Sequence, residues 1–277
     1  MDLLDLFFKT TQIKPEQISP YPFGVSNDNY LVKTSQGEYF LRVPKTDNNG
    51  IDRKNEKQVI VNIKDLKIDA ETIYFNDKNG IKITKKIKCK KGFSDYCDTN
   101  FLKSFSLQLK KLHQASIDKI KPFEVFKLLN FYKEEINDKS LTFLDEDYLL
   151  LKVRKLYEKY PLVLCHNDLL FANILTDNKK VYLIDYEYAG LNIELFDVMS
   201  FIKENNIDNL NQQIKIFKIY FEKLSIDLIS DLNTMGLFLD LFWSYWAYMM
   251  YKKTNQQVFL DIFTLKYRRY HQLINRT

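Results

Sequence analysis

The stretch LCHNDLLFANIL, Leu164 to Leu175, sets three polar side chains between apolar flanks in the spacing His166-x-Asp168-x-x-x-x-Asn173. The apolar run that follows, VYLID, ends on Asp185. A loop between short strands accounts for the mixture, because the flanks anchor it in a core while its polar side chains face a cleft. The inventory suits phosphoryl transfer. One carboxylate orients an attacking hydroxyl and accepts its proton, while an Asn oxygen and a second carboxylate hold a divalent cation against nucleotide phosphates. Alone, a His beside an Asp is ordinarily a hydrogen-bonding pair, and an Asp after a strand ordinarily a turn or a cap. The joint pattern carries the reading.

The elements around this loop follow from periodicity. NYLVKTSQGEYFLRVP has two β-runs, Tyr30 to Lys33 and Tyr39 to Val43, about a Ser-Gln-Gly turn, and ETIYFNDKNGIKITKKI makes a second hairpin turning at Asn79-Gly80. Between them RKNEKQVIVNIKDL reads as a helix. From Asn100 the apolar spacing becomes three and four, giving helices ending near His113, at about Phe123 to Asn137 and at Glu146 to Lys159. Residues 162 to 187 return to short apolar runs, and everything after Ile193 is helical again. The expected fold class is α+β, with a small β-rich N-lobe (residues 1–88) and a larger, mostly α-helical C-lobe (89–277). Lys88 to Asp98 is the linker candidate.

Composition removes several function classes. The 277 residues carry 45% hydrophobic and 28% charged side chains, enough for a core and too apolar for disorder. The net charge of +5 comes mostly from dispersed lysines, which argues against a nucleic-acid partner. Cys89, Cys97 and Cys165 are odd in number and lack metal-ligand spacing, so no disulfide framework is expected and the compartment is reducing. The apolar run Met235 to Tyr251 is interrupted by Asp240 and reads as a buried helix, and MDLLDLFFKT is too acidic for a leader. A cytoplasmic protein without membrane insertion is the expectation. Cys165 next to His166 does not make a nucleophile pair, since neighbours on a strand face opposite ways.

The Asp-to-Asn spacing and the later Asp are similar to the catalytic loop and metal-binding Asp of protein kinases. The differences are equally plain. Asp185 is followed by Tyr186-Glu187 rather than Phe-Gly, no Ala-Pro-Glu follows, and GVSNDNYLV stands where a G-x-G-x-x-G loop would be. HNDLLFANIL and LIDYEYAGLNIELFDV, with IDRKNE and LFWSYWAY, resemble the choline/ethanolamine kinase family, especially its bacterial lic-type members. The resemblance runs from about Gly24 to the last helix. It implies a bilobal protein-kinase-like fold, with Asp168 as catalytic base, His166 shaping the loop, and Asn173 and Asp185 as Mg²⁺ ligands. It also implies an ATP site of Ser26, Asn27, Asn29, Arg42, Glu56 and Ile87, in which Arg42 meets the phosphates and Glu56 steadies its guanidinium. Asp197 of LFDV would support the catalytic loop.

On the acceptor side the resemblance implies Tyr188, Glu204, Trp243 and Trp246. A quaternary ammonium donates no strong hydrogen bond and is held by aromatic faces and a nearby carboxylate. Trp243 and Trp246, the two tryptophans of the chain, share a helix face. Aromatics at that spacing are ordinarily core, and the cage reading rests on the family pattern. The implied activity is ATP-dependent, Mg²⁺-dependent phosphorylation of choline by a monomer or homodimer. Ethanolamine, an aminoglycoside or thiamine stay open as acceptors, as does a catalytically silent nucleotide-binding module.

Overall fold

The computed structural model describes residues 2–22, 27–45, 51–89, 98–138, 140–177 and 180–274. Its chain divides into two compact units: Met1–Lys121 with Phe171–Gly190, and Pro122–Leu170 with Leu191–Thr277.

The first unit opens with α1 (Leu3–Thr11), capped by the Asp2 carboxylate, which accepts from the Leu4 N–H. A five-stranded sheet follows in the order β1-β2-β3-β5-β4. Strand β1 (Pro15–Tyr21) is an edge strand, which is where Pro15 and Pro20 cost no interior ladder bond. The expected first hairpin is β2 (Asn27–Thr34) against β3 (Gly37–Pro44), antiparallel, with Asn29 opposite Arg42. The second is β4 (Thr72–Phe75) against β5 (Lys82–Lys85). Its turn needs Gly80, at φ +72°, where an added Cβ would also lie 2.6 Å from Nε of Arg53. Phe7 of α1 fills the core beneath Val32, Tyr39, Leu41, Ile81 and Ile83.

Helix α2 (Arg53–Ile63) stands between the hairpins, N-capped by the Asp52 carboxylate, and runs on into a 3₁₀ turn, Lys64–Leu66. The compact units differ from the expected division at residues 88 and 89. Helix α3 (Thr99–His113) and segment 171–190 pack with the sheet instead. Ser104 Oγ of α3 accepts from Val181 N at 3.1 Å, and Leu183 N donates to the Ile68 carbonyl at 2.8 Å. Most of the linker candidate, residues 90–97, lies outside the described residues.

The second unit is mostly helical. It contains α4 (Val125–Ile136), α5 (Glu146–Lys159) and β6 (Leu162–Cys165). In segment 171–190 of the first unit, a 3₁₀ turn (Phe171–Asn173) leads into the antiparallel pair β7 (Ile174–Thr176) and β8 (Val181–Leu183). Strand β9 (Gly190–Ile193) then returns the chain to the helical unit, beside β6. Helices α6 (Glu194–Glu204), α7 (Leu210–Phe221), α8 (Ile226–Thr254) and α9 (Gln257–Ile274) complete the unit. Phe123, Phe196 and Phe242 meet edge to face in it, and Phe238 lies tilted against Phe242. Among the described residues no helix is long and apolar enough to cross a membrane. Asp240 of α8 is fully buried and ion-paired, in keeping with a core helix.

Candidate active site

In the first unit the site grows from one strand residue. Arg42 points from β3 with its side chain only 8% exposed, and its guanidinium is shared among carboxylates. Nη2 donates to Glu56 Oε1 of α2 at 2.7 Å and to the Gly80 carbonyl at 3.2 Å, and Nη1 donates to Asp185 Oδ1 at 2.9 Å. Burial alone would lower the Arg42 pKa, but Glu56, Asp185 and Glu187 outweigh it and hold the guanidinium charged. Arg42 is thus fixed as a cation before any ligand arrives, and a charge-assisted pair of this kind is directional.

Two partners escaped the sequence reading. Arg53 opens α2 and donates through Nη1 to Glu56 Oε2 at 2.7 Å and to Glu187 Oε2 at 3.2 Å. Glu187 also accepts from Asn27 Nδ2 at 3.2 Å. Burial first, then repulsion from Asp185, pushes the Glu187 pKa up to about 7 against the pull of Arg42 and Arg53. Both residues lie inside the quoted motifs IDRKNE and LIDYE, so the available signal was the Arg53–Glu56 spacing of three on one helix face.

The structure brings Arg42, Glu56 and Asp185 together and links Asn27 to them through Glu187. Asn173 and Asp185 lie on adjoining ends of the β7–β8 pair, with Ile184 N donating to the Asn173 carbonyl at 2.9 Å. Asn173 is buried, while the Asp185 side chain keeps 32% exposure. Asp185 takes φ +67°, a left-handed conformation uncommon for a non-glycine residue. Asn29 is half-buried in β2, Ile87 follows β5 with its carbonyl accepting from Cys89 N at 2.9 Å, and Tyr188 is half-buried after β8. Ser26 lies outside the described residues.

In the second unit the loop after β6 is held by its backbone. The Asp197 carboxylate of α6 accepts from His166 N and from Asn167 N, each at 2.7 Å, and Ser200 Oγ one turn on accepts from Leu169 N at 3.2 Å. Asn205 Nδ2 donates to the Leu169 carbonyl at 2.8 Å. Asn167 sits at φ +66°, its Oδ1 accepting from Asn192 Nδ2, and Asn192 Oδ1 in turn accepts from Tyr157 Oη at 2.6 Å. His166 and Asn167 are wholly buried and Asp168 is half-buried. Hydrogen bonds to a charged acceptor are worth about 1.5–3 kcal/mol each, so the two on Asp197 fix the loop firmly. The Cys165 thiol is fully buried and its pKa is raised, chiefly by that burial, so it is no nucleophile.

Trp243 is buried on α8, and half-buried Trp246 meets it edge to face with centroids 5.6 Å apart. Phe259 of α9 continues the row, 5.6 Å beyond Trp246. Glu204, the last residue of α6, gives both carboxylate oxygens to Lys266 Nζ of α9, at 2.7 and 2.9 Å. Lys266 had no place in the sequence reading.

A small antiparallel sheet with a charged strand residue paired to its helix, and a helical unit bearing a clamped His-x-Asp loop, define a protein of the protein-kinase-like fold. The choline kinase LicA of Streptococcus pneumoniae has that fold and superposes with a TM-score of 0.79 at 18% identity, covering 99% of each chain. The model of the family described as choline/ethanolamine kinase matches residues 18–226, and the chain belongs to that family. Protein LicA of Haemophilus influenzae is 27% identical over 220 residues, 72% of this chain and 65% of that protein. Human ethanolamine kinase 2 is 28% identical over 193 residues, 58% of this chain. The matched region therefore spans just under two thirds of that LicA protein and about half (49%) of the human relative.

Proposed function

We propose that this protein transfers the γ-phosphoryl group of ATP to the hydroxyl of choline, giving phosphocholine and ADP. The observation that carries the reading is the loop at Asp168. The backbone N–H groups on both sides of that residue are tied to Asp197 and Ser200, so the stretch of backbone that carries its carboxylate is fixed. In the reaction the choline oxygen attacks the γ-phosphorus, the bond to the β,γ-bridging oxygen breaks, and the hydroxyl proton passes to the Asp168 carboxylate. Arg42, kept cationic by Glu56, offsets charge on the transferred group. Asn27 and Asn29 line the phosphate side, and the backbone near Ile87 receives the adenine.

Asn173 and Asp185 offer hard oxygen donors on adjoining strand ends, a set that fits Mg²⁺. When bound there, that ion neutralises phosphate charge. Tyr188, Trp243 and Trp246 supply ring faces for the trimethylammonium, and Glu204 supplies the counter-charge. Ethanolamine is the second reading. A primary ammonium donates hydrogen bonds to a carboxylate, and Trp243 is buried against Phe242 and Trp246, which favours the smaller head group.

The test is ADP release from Mg-ATP with choline, ethanolamine, thiamine or kanamycin offered separately to wild type and Asp168→Ala. Acceptor-dependent release with choline, falling about 10²–10⁴-fold in the variant, is expected for loss of a general base. Release that survives Asp168→Ala unchanged, or that depends on none of the acceptors, overturns the proposal.

A further inference from the structure

Glu204 is already occupied. Both of its oxygens are bound by the Lys266 ammonium at 2.7 and 2.9 Å, the Lys266 side chain is 6% exposed and that of Glu204 16%. The carboxylate that would meet an acceptor's ammonium thus carries an ammonium supplied by the chain.

The pair is not needed to tie its helices together. Asp240 of α8 takes Lys203 Nζ of α6 on Oδ2 at 2.6 Å and Arg269 Nε of α9 on Oδ1 at 3.0 Å. Arg269 Nη1 also donates to the Lys203 carbonyl and to Asn206 Oδ1. Helices α6, α8 and α9 are therefore joined through Asp240 without Glu204 or Lys266. The register of the α8–α9 hairpin gives Lys266 a different address. The ring contact between Trp246 and Phe259 and the bond between Asp240 and Arg269 set the register of the hairpin, which places Lys266 of α9 at about the level of Trp243 of α8. Lys266 thus lies at the level of the aromatic row along the hairpin, on the one carboxylate of this group that keeps appreciable exposure.

We infer that Lys266 is a specificity-determining residue that occupies Glu204 in place of a substrate ammonium, so that a cationic acceptor binds only when Lys266 gives the carboxylate up. This rests on the acceptor reading above and deepens it. The apparent affinity of such a site is the intrinsic affinity reduced by the fraction of molecules in which Glu204 is free. The surrounding charge acts in the same direction. Lys203, Lys266 and Arg269 outnumber Asp240 and Glu204, which disfavours a further cation while Lys266 remains in place.

The experiment is steady-state kinetics with choline and with ethanolamine at saturating Mg-ATP, on wild type, Lys266→Met and Lys266→Arg, with a thermal melt of each. Lys266→Met keeps the length of the stem and frees Glu204. Its KM for either amine is expected to fall about tenfold if Glu204 is free in about a tenth of wild-type molecules, with the change in KM rather than kcat. Lys266→Arg holds the carboxylate with a bidentate fork, and KM is expected to rise. A merely structural lysine would move the melts and leave KM alone. Variants with KM unmoved, or moved in the same direction, overturn the inference while wild-type turnover leaves the acceptor reading standing. Should Lys266→Met fail to fold, an unchanged KM in Lys266→Arg is enough to overturn it. Turnover of neither amine by wild type overturns the acceptor reading, and this inference with it.

Discussion

Two buried ion clusters, one in each unit, are built from the same chemistry with opposite balance. In the sheet unit, Arg42 and Arg53 face Glu56, Asp185 and Glu187, so carboxylates are in excess. In the helical unit, Lys203, Lys266 and Arg269 face Asp240 and Glu204, so cations are in excess. The first cluster distributes its charge over alternatives, since Arg42 touches three carboxylates and Glu56 two arginines. The second converges on one hub, Asp240, fully buried between two cations. A cluster with spare carboxylates can take in a cation from outside, whereas the Lys203–Asp240–Arg269 hub is already complete and serves packing, which leaves Glu204 at its edge as the one carboxylate whose occupant can change.

Removing three of these acids one at a time sharpens that contrast. Asp240→Ala leaves Lys203 and Arg269 buried without their hub, and stability should fall by about 3–5 kcal/mol in a denaturant melt, the cost of stranding buried charge. Glu56→Gln is expected to cost less, about 1–3 kcal/mol, because Asp185 and Glu187 remain beside the two guanidiniums. Its larger effect should be on ADP release, since Arg42 loses the partner that steadies it. Glu187→Gln removes an acid from the side where acids are in excess, and stability should change by less than about 1 kcal/mol. A loss from Glu187→Gln as large as that from Asp240→Ala would show that the two clusters do not differ as described.

Much of the layout could be read in the sequence because it is local. Both hairpins announce themselves by alternation and by Gly-containing turns, and α3, α4 and α5 by spacing within one helix. The expectation that Asp197 supports the His166–Asp168 loop came from motif position, and its carboxylate accepts two backbone N–H groups of that loop. What stayed hidden depends on distant partners. Strand β1, with its two prolines, reads as a poor strand until its edge position is known. The joining of 171–190 to the unit that holds the sheet uses Ile68 and Ser104, which no periodicity could connect to it. Lys266 is one of many lysines in the chain, and only the fold brings it to Glu204.

The first unit is assembled from two separate stretches of chain, Met1–Lys121 and Phe171–Gly190. During synthesis its hairpins leave the ribosome early, yet β7, β8 and Asp185 emerge only after α4, α5 and β6 of the other unit have been made. Folding of the amino-terminal unit therefore cannot keep step with translation. Until residue 190 is out, Arg42 lacks Asp185 and Glu187, and the Ile68 carbonyl lacks its partner N–H. The part of the molecule that begins first is finished late, and a chain cut after residue 121 would carry the sheet without the strands that complete its unit.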